Sequence, residues 1–571
     1  MALSKNGSAP GGGAAPAPLL RLGLLAALLA LLGACGGGET SPPAAGQAGD
    51  GGGGGPAGQA AAGGEKELVV AVVRDGALDE MDAASYNGPL FLFKMIYEGL
   101  VEDGGGGKII PVLAESWDIS GDGRTYTFHL RDGVKFSDGT PFNAEAVIFN
   151  LKRWVGDEMF SSLSSYEIED MQAVDPLTVR VTFKRGDYSL LIEQSYPRPV
   201  RFLSPASVEQ DPGNPKGRFT GPVGTGPWMV ETYVKEEGYT LVPNPHYWGE
   251  RPKIDRLRFK VVSDAQARVM ALRSGEVDII GGELVGKIPI ESIPELMADP
   301  EFEVHTKDTL CSHLLAFNND AGKFGDRRLR LAVSLAIDKK AITESLFDGI
   351  GEVADGLFQR GVPYATPQNN HGYPGDPERA RALLDELGYV DADGDGVRER
   401  GGERLELNFT LSAAEFPEWK PLGEFIQSQL SQVGIKVNLN ILDRNGYLET
   451  TQRSRKFDIA LIRTPNDSWM PHSALPELFQ PYPDPGRPAR LWTDPAIMEM
   501  VRTTLATIDP DERQRNYDKL LGFISDTVIA VPVYFPIASM AVNPRRVRNF
   551  VMGVNNFAPV EWSLLEVSAD D

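Results

Sequence analysis

The sequence predicts an α/β protein of two lobes, the first rich in strands, the second rich in helices, with a C-terminal return to the first. Three observations carry this. Short Val-rich or alternating runs dominate up to about residue 320, amphipathic helices dominate from residue 326, and "VIAVPVYFPIASMAV" near the end is again strand-like. The 506 residues from Lys66 to Asp571 exceed one ordinary core and suffice for two or three.

The N-terminal elements come first. Leu22 to Leu32 is an apolar run of eleven residues. As a helix it would reach about 16 Å, against roughly 30 Å of hydrocarbon, so it cannot span a bilayer. Lys5 and Arg21 precede it and small residues end it, the layout of an export signal. Residues 36–65 hold no large apolar side chain and read as a flexible tether. Removing residues 1–34 deletes Lys5 and Arg21 and no acid, moving the net charge from −23 to −25. Such a surface repels nucleic acid and anionic headgroups. No later run reaches the eighteen apolar residues of a spanning helix.

In the body, "KELVVAVVRDG" predicts a buried strand. "YTFHLRDGVKFSDG" alternates Tyr126, Phe128 and Leu130, turns at Asp132-Gly133 and resumes, which predicts a hairpin. Asn143 can cap a helix carrying Val147, Phe149 and Leu151. "LTVRVTFKRG" and "DRLRFKVV" continue as strands. Three helices follow, in "DRRLRLAVSLAIDKKAITESLF", "DPERARALLDELG" and "DPDERQRNYDKLLGFISD". The second begins at a capping Asp376 with Pro377 in its first turn and stops at Gly388.

Several motifs resemble a known family. Leu32-Gly33-Ala34-Cys35 resembles the lipobox of bacterial lipoproteins, in which cleavage precedes a lipidated cysteine. The run "AESWDISGDGRTYTFHLRDGVKFSDGTPFNAEAVIFNLKRW", Ala114 to Trp154, resembles the signature of the family-5 extracellular solute-binding proteins, the peptide and nickel receptors of ABC importers. "GTGPW" at 224–228, "NPHYWGERPKIDRLRF" from Asn244, "LRLAVSLAIDKKAI" from Leu329 and "QLSQVGIKVNL" from Gln429 follow in the family's order. Three segments resemble the nickel-binding branch: "YPRPVRF" at 196–202, "GEVADGLFQRGVPYAT" from Gly351 and "VPVYFPIASMAV" from Val531.

The resemblance implies a periplasmic-binding-protein type II fold, with an extra subdomain inserted in lobe one and the ligand enclosed between lobes. It divides the chain into a signal peptide (1–34), a lipidated Cys35 with its tether (35–65), lobe I (66–112, 224–306 and 532–571), the inserted subdomain (113–223) and lobe II (307–531). It implies a receptor rather than an enzyme, needing no cofactor. The expected partners are a small zwitterionic solute or peptide and the permease subunits of an ABC importer. The expected state is a monomer outside the cytoplasm, held to the membrane by its lipid alone. A nickel or metallophore-chelate receptor is the alternative within the class, and a lipoprotein of sensing or adhesion the alternative outside it.

Candidate ligand residues follow from the same resemblance. Arg198 stands between Pro197 and Pro199, which hold the backbone extended, and its planar fork suits a carboxylate. Arg201 is the competing candidate. In "RTPNDSWMPH", Trp469 falls where the nickel-binding branch has a tyrosine, and Asp467 near the acid that meets a peptide ammonium. Tyr86 and Leu90 are expected to face the same cleft. The arginine and tryptophan that help hold the metal chelate in that branch correspond to Glu158 and Ser161. The loop bearing its metal-contacting histidine corresponds to "LFQPYPDPGRP", which has none. These departures count against nickel, and no metal ligands are assigned. If Cys35 carries lipid, Cys311 has no disulfide partner and reads as a small buried thiol. Asp391, Asp393 and Asp395 open like a calcium loop, but its twelfth position is Gly402 rather than glutamate, so a solvated turn is the preferred reading. No nucleophile–base motif is present.

Overall fold

The computed structural model describes residues 66–85, 88–155, 163–197, 200–309, 311–319, 322–413, 416–464, 471–479, 491–492 and 494–568. Two large sheets organise it. The first has seven strands in the order Trp228–Val234, Gly238–Pro243, Arg256–Val261, Glu67–Val72, Ile279–Gly281, Ile537–Val542 and Glu303–Asp308. Glu67–Val72 lies at its centre, parallel to both neighbours, and five of its six residues are buried. That burial on both faces explains a Val-rich run without alternation. The second sheet has five strands, Lys436–Ile441, Glu406–Leu411, Ile459–Arg463, His313–Phe317 and Ala530–Tyr534. A four-stranded sheet, Ala114–Ile119, Thr125–Leu130, Thr178–Phe183 and Ile168–Asp175, stands apart from both.

Each large sheet has its own core. Phe91, Phe93, Trp228, Phe259 and Trp562 pack in the first lobe, and Phe409, Trp419, Leu422, Ile426 and Leu461 in the second. A third cluster, with Phe128, Phe136, Phe142, Trp154 and Phe183, fills the four-stranded unit. Separate cores let the lobes move as bodies without repacking their interiors.

The chain passes from one large sheet to the other between strands Glu303–Asp308 and His313–Phe317, and back between Ala530–Tyr534 and Ile537–Val542. The crossings are tied together: the Thr309 hydroxyl donates to the Pro536 carbonyl oxygen at 2.7 Å, and Thr309 is fully buried. The apolar run Val531 to Val542 therefore divides, with Ala530–Tyr534 in one sheet and Ile537–Val542 in the other. Gly281 ends its strand at φ +105°, and a Cβ there would lie 2.3 Å from the Ser539 carbonyl oxygen. Only glycine tolerates that approach.

Local signals behave as physical chemistry requires, with one correction. The Asn143 side chain accepts from the Ala146 amide at 3.0 Å and starts helix Ala144–Trp154. Asp376 accepts from the Arg379 amide, Pro377 fills the first turn, and Gly388 follows helix Pro377–Glu386 at φ +81°. The hairpin expected from Tyr126 to Phe136 does not form. Thr125–Leu130 pairs instead with Ala114–Ile119 and Thr178–Phe183, while beyond the turn only an isolated bridge joins Lys135 to Pro141. Val134 and Phe136 keep the alternation because they are buried in the subdomain core, not because they extend a ladder.

Candidate functional site

Between the lobes lies a cavity of about 750 Å³. Lobe I contributes Gly282 to Glu291, lobe II contributes Leu346 to Asp348, Pro417, Glu418 and Pro421, and the second crossing contributes Tyr534 and Pro536. That volume lies within the usual range for small-molecule sites. Charges of both signs meet at its wall. Lys287 Nζ of lobe I stands 3.1 Å from Glu283 Oε1 and 3.1 Å from Glu418 Oε1 of lobe II. Arg463 of lobe II reaches Glu283 at 3.6 Å and the buried Cys311 sulfur at 3.5 Å. Burial alone would lower the Lys287 pKa, but Glu283 and Glu418 together hold it above its ordinary value. Both lysine and arginine also lie over the Phe416 ring, 5.5 and 5.3 Å from its centroid. Behind them, His313 Nδ1 accepts from Trp419 Nε1 at 3.2 Å, and burial pushes the imidazole down to about 3, which keeps it neutral.

A second contact joins the lobes through aromatic rings. Tyr188 of lobe I places its hydroxyl 2.6 Å from that of Tyr517, and the Arg513 guanidinium sits 4.2 Å from the centroid of its ring. Tyr364 stacks on Tyr517 at 4.7 Å and 8°. Nearby, Tyr196 of lobe I meets His472 of lobe II: hydroxyl and Nε2 are 2.7 Å apart, and the rings stack at 6.0 Å and 23°. The sequence reading did not identify this contact. Its members lie 276 residues apart, and although each belongs to a motif quoted above, nothing in either motif pairs it with the other.

Of the candidate ligand residues, Leu90 lies among the described residues. It opens helix Leu90–Ile96, half-buried against the lobe I core, and does not line the cavity. Tyr86, Arg198, Asp467 and Trp469 lie outside the described residues, as do Glu158, Ser161 and Cys35. Arg201 is buried inside lobe I at 2% exposure. It donates to the Ser195 carbonyl oxygen at 3.2 Å, and Glu102 and Glu98 offset part of the desolvation of its guanidinium. Its surroundings are those of a structural cation. Asp391, Asp393 and Asp395 are exposed, with carboxylate oxygens gathered within 4.8 Å, where Asp391 accepts from the amides of Gly394 and Gly396, Asp393 from that of Asp395 and Asp395 from that of Val397, as a turn does. Among the described residues, no helix is long and apolar enough to cross a membrane.

Two separately cored lobes, two crossings tied side by side and a cavity between them give the architecture of a two-lobed binding protein. Residues 108–485 match the family described as bacterial extracellular solute-binding proteins, family 5. The chain is 31% identical over 469 residues to the nickel-binding periplasmic protein of Escherichia coli K12, covering 81% of this chain and 87% of that protein. It is 29% identical over 468 residues to a glutathione-binding protein of Escherichia coli O1:K1, covering 79% and 85%. Its fold superposes on the crystal structure of NikA from Brucella suis in complex with Fe(III)-EDTA with a TM-score of 0.81, at 28% identity, covering 88% of this chain and all of that one. The chain belongs to the family-5 extracellular solute-binding proteins. Proteins of this family are binding components of transport and not enzymes.

Proposed function

We propose that this protein is the receptor of an ABC importer, working outside the cytoplasm as a lipoprotein anchored through Cys35. It captures a small zwitterionic solute, a peptide or related compound, between its lobes and presents the closed form to the permease. The observation that carries the reading is the cavity of about 750 Å³ walled by both lobes, with Lys287 between Glu283 and Glu418 at its edge. Opposite charges on one wall suit a solute that carries both signs. Arg198 is the proposed carboxylate anchor, Asp467 the partner of the ammonium, and Trp469 and Tyr86 the apolar walls.

A metal chelate is the second reading, favoured by the likeness to the nickel-binding periplasmic protein of Escherichia coli. Against it, His472 is occupied by Tyr196 and buried. Native mass spectrometry of the protein purified from its source decides between them. A small organic mass, one per chain, supports the first reading; a metal with a matching isotope pattern supports the second.

A further inference from the structure

We propose that Tyr196 and His472 form an interlobe clasp: their contact holds the lobes together and forms only while His472 is uncharged. Tyr196 stands two residues before Arg198, and His472 three residues after Trp469. The proposal rests on the receptor reading only in taking opening and closing of the lobes as the working motion.

The geometry specifies one protonation state. His472 is 2% exposed, and its Nδ1 has no hydrogen-bonding partner among the described residues. In the neutral tautomer whose Nε2–H donates to the Tyr196 hydroxyl oxygen, Nδ1 carries no proton and no ring N–H is left without a partner. An imidazolium would carry a second N–H with no acceptor and a charge with no counter-ion among the described residues, both costly in a buried site. The titratable groups in ring contact with it are Tyr196 and Tyr188, the latter edge-on at 5.9 Å. Arg513 lies over the Tyr188 ring, and adds no negative charge. Asp187 and Glu193, on the same lobe I segment, are engaged with Ser164, Ser165 and Ser189. Burial accordingly pushes the His472 imidazole down to about 3.

Parting the lobes removes Tyr188 and Tyr196 from the ring and returns His472 to water, where histidine titrates near 6.5. The open form then binds a proton that the closed form rejects. Closing is unimpaired above about pH 6.5 and weakens as the pH falls below it, by roughly tenfold between pH 7.5 and 5.5. Tyr188 accompanies the clasp as a knob in the lobe II socket of Tyr364, Tyr517 and Arg513, which aligns the approach without titrating in this range.

The test labels the full chain with a donor and an acceptor dye at Gln172→Cys and Lys519→Cys, exposed positions on opposite lobes. Single-molecule energy transfer then reads the closed-to-open ratio at about pH 7.5 and 5.5, with and without L-alanyl-L-alanine as a zwitterionic probe. The expected results are a roughly tenfold lower ratio in acid, and about a fivefold to tenfold lower ratio at neutral pH for Tyr196→Phe, which keeps the ring and loses the hydrogen bond. His472→Gln, which can still bond Tyr196 but cannot titrate, retains closure and loses the acid dependence. An unchanged ratio in Tyr196→Phe, full acid dependence in His472→Gln, or a single interlobe distance under every condition overturns the proposal. The dipeptide's own effect bears on the solute, so a failure of the clasp and a failure of the solute reading are told apart.

Discussion

Arg201 stands three residues from Arg198, and its burial separates the consequences of changing each. Arg201→Ala removes a buried guanidinium that donates to the Ser195 carbonyl oxygen, while Lys94 still pairs with Glu102 at 2.8 Å, and is expected to destabilise the fold by about 2 kcal/mol. Arg198→Ala is expected to cost roughly 2–5 kcal/mol of solute affinity, with Arg198→Lys recovering part, because an ammonium cannot reproduce the bidentate fork. Thermal melts and calorimetric titration of the three variants check both statements; the account fails if the two alanine variants exchange phenotypes. Glu98 adds a pH dependence. Burial raises its carboxyl to about 7, against hydrogen bonds that include one from Trp248 Nε1 at 2.9 Å. The folded state therefore keeps a proton that the unfolded state releases near 4.5. The contribution is fully present below that pH and is lost as the pH rises towards 7. Glu98→Gln should flatten this fall in urea melts across that window.

Among the elements, caps were legible because their chemistry is local. Asn143 and Asp376 each satisfy helix amides within three residues, so a short stretch of sequence contains the whole argument. Asn143→Ala should accordingly cost about 1 kcal/mol in a urea melt, with no change in solute affinity. Strand pairing was less legible. Val134 and Phe136 continue the alternation of Tyr126 to Leu130, yet the partner of that strand is Thr178–Phe183, chosen by packing some fifty residues away. The division of Val531 to Val542 was equally hidden. Both halves are apolar because both sheets bury their strands, and nothing in the composition marks Phe535-Pro536 as the crossing. The same limit applies to the site. Arg198 and Trp469 could be proposed from motifs, whereas Tyr188, Tyr196, His472 and the group of Glu283, Lys287, Glu418 and Arg463 are assembled by the closed arrangement of two lobes.

For the whole molecule, the tether proposed for residues 35–65 and the paired crossings between sheets would answer one requirement, since a receptor must stay near its permease while its lobes move. Cys35→Ser should shift the protein from the membrane fraction to the soluble fraction, as seen by fractionation and blotting; unchanged retention would remove lipid from the account. Motion itself is the central claim. The two cores are separate, the crossings are tied at Thr309 and Pro536, and the interlobe contacts at Lys287–Glu418 and Tyr196–His472 are polar and can be remade. Small-angle X-ray scattering, with and without the solute that co-purifies with the protein, tests this most directly. The radius of gyration should fall when the solute is bound, as the lobes close over it. Equal radii in the two states would contradict capture by closure and leave a rigid binding protein in its place.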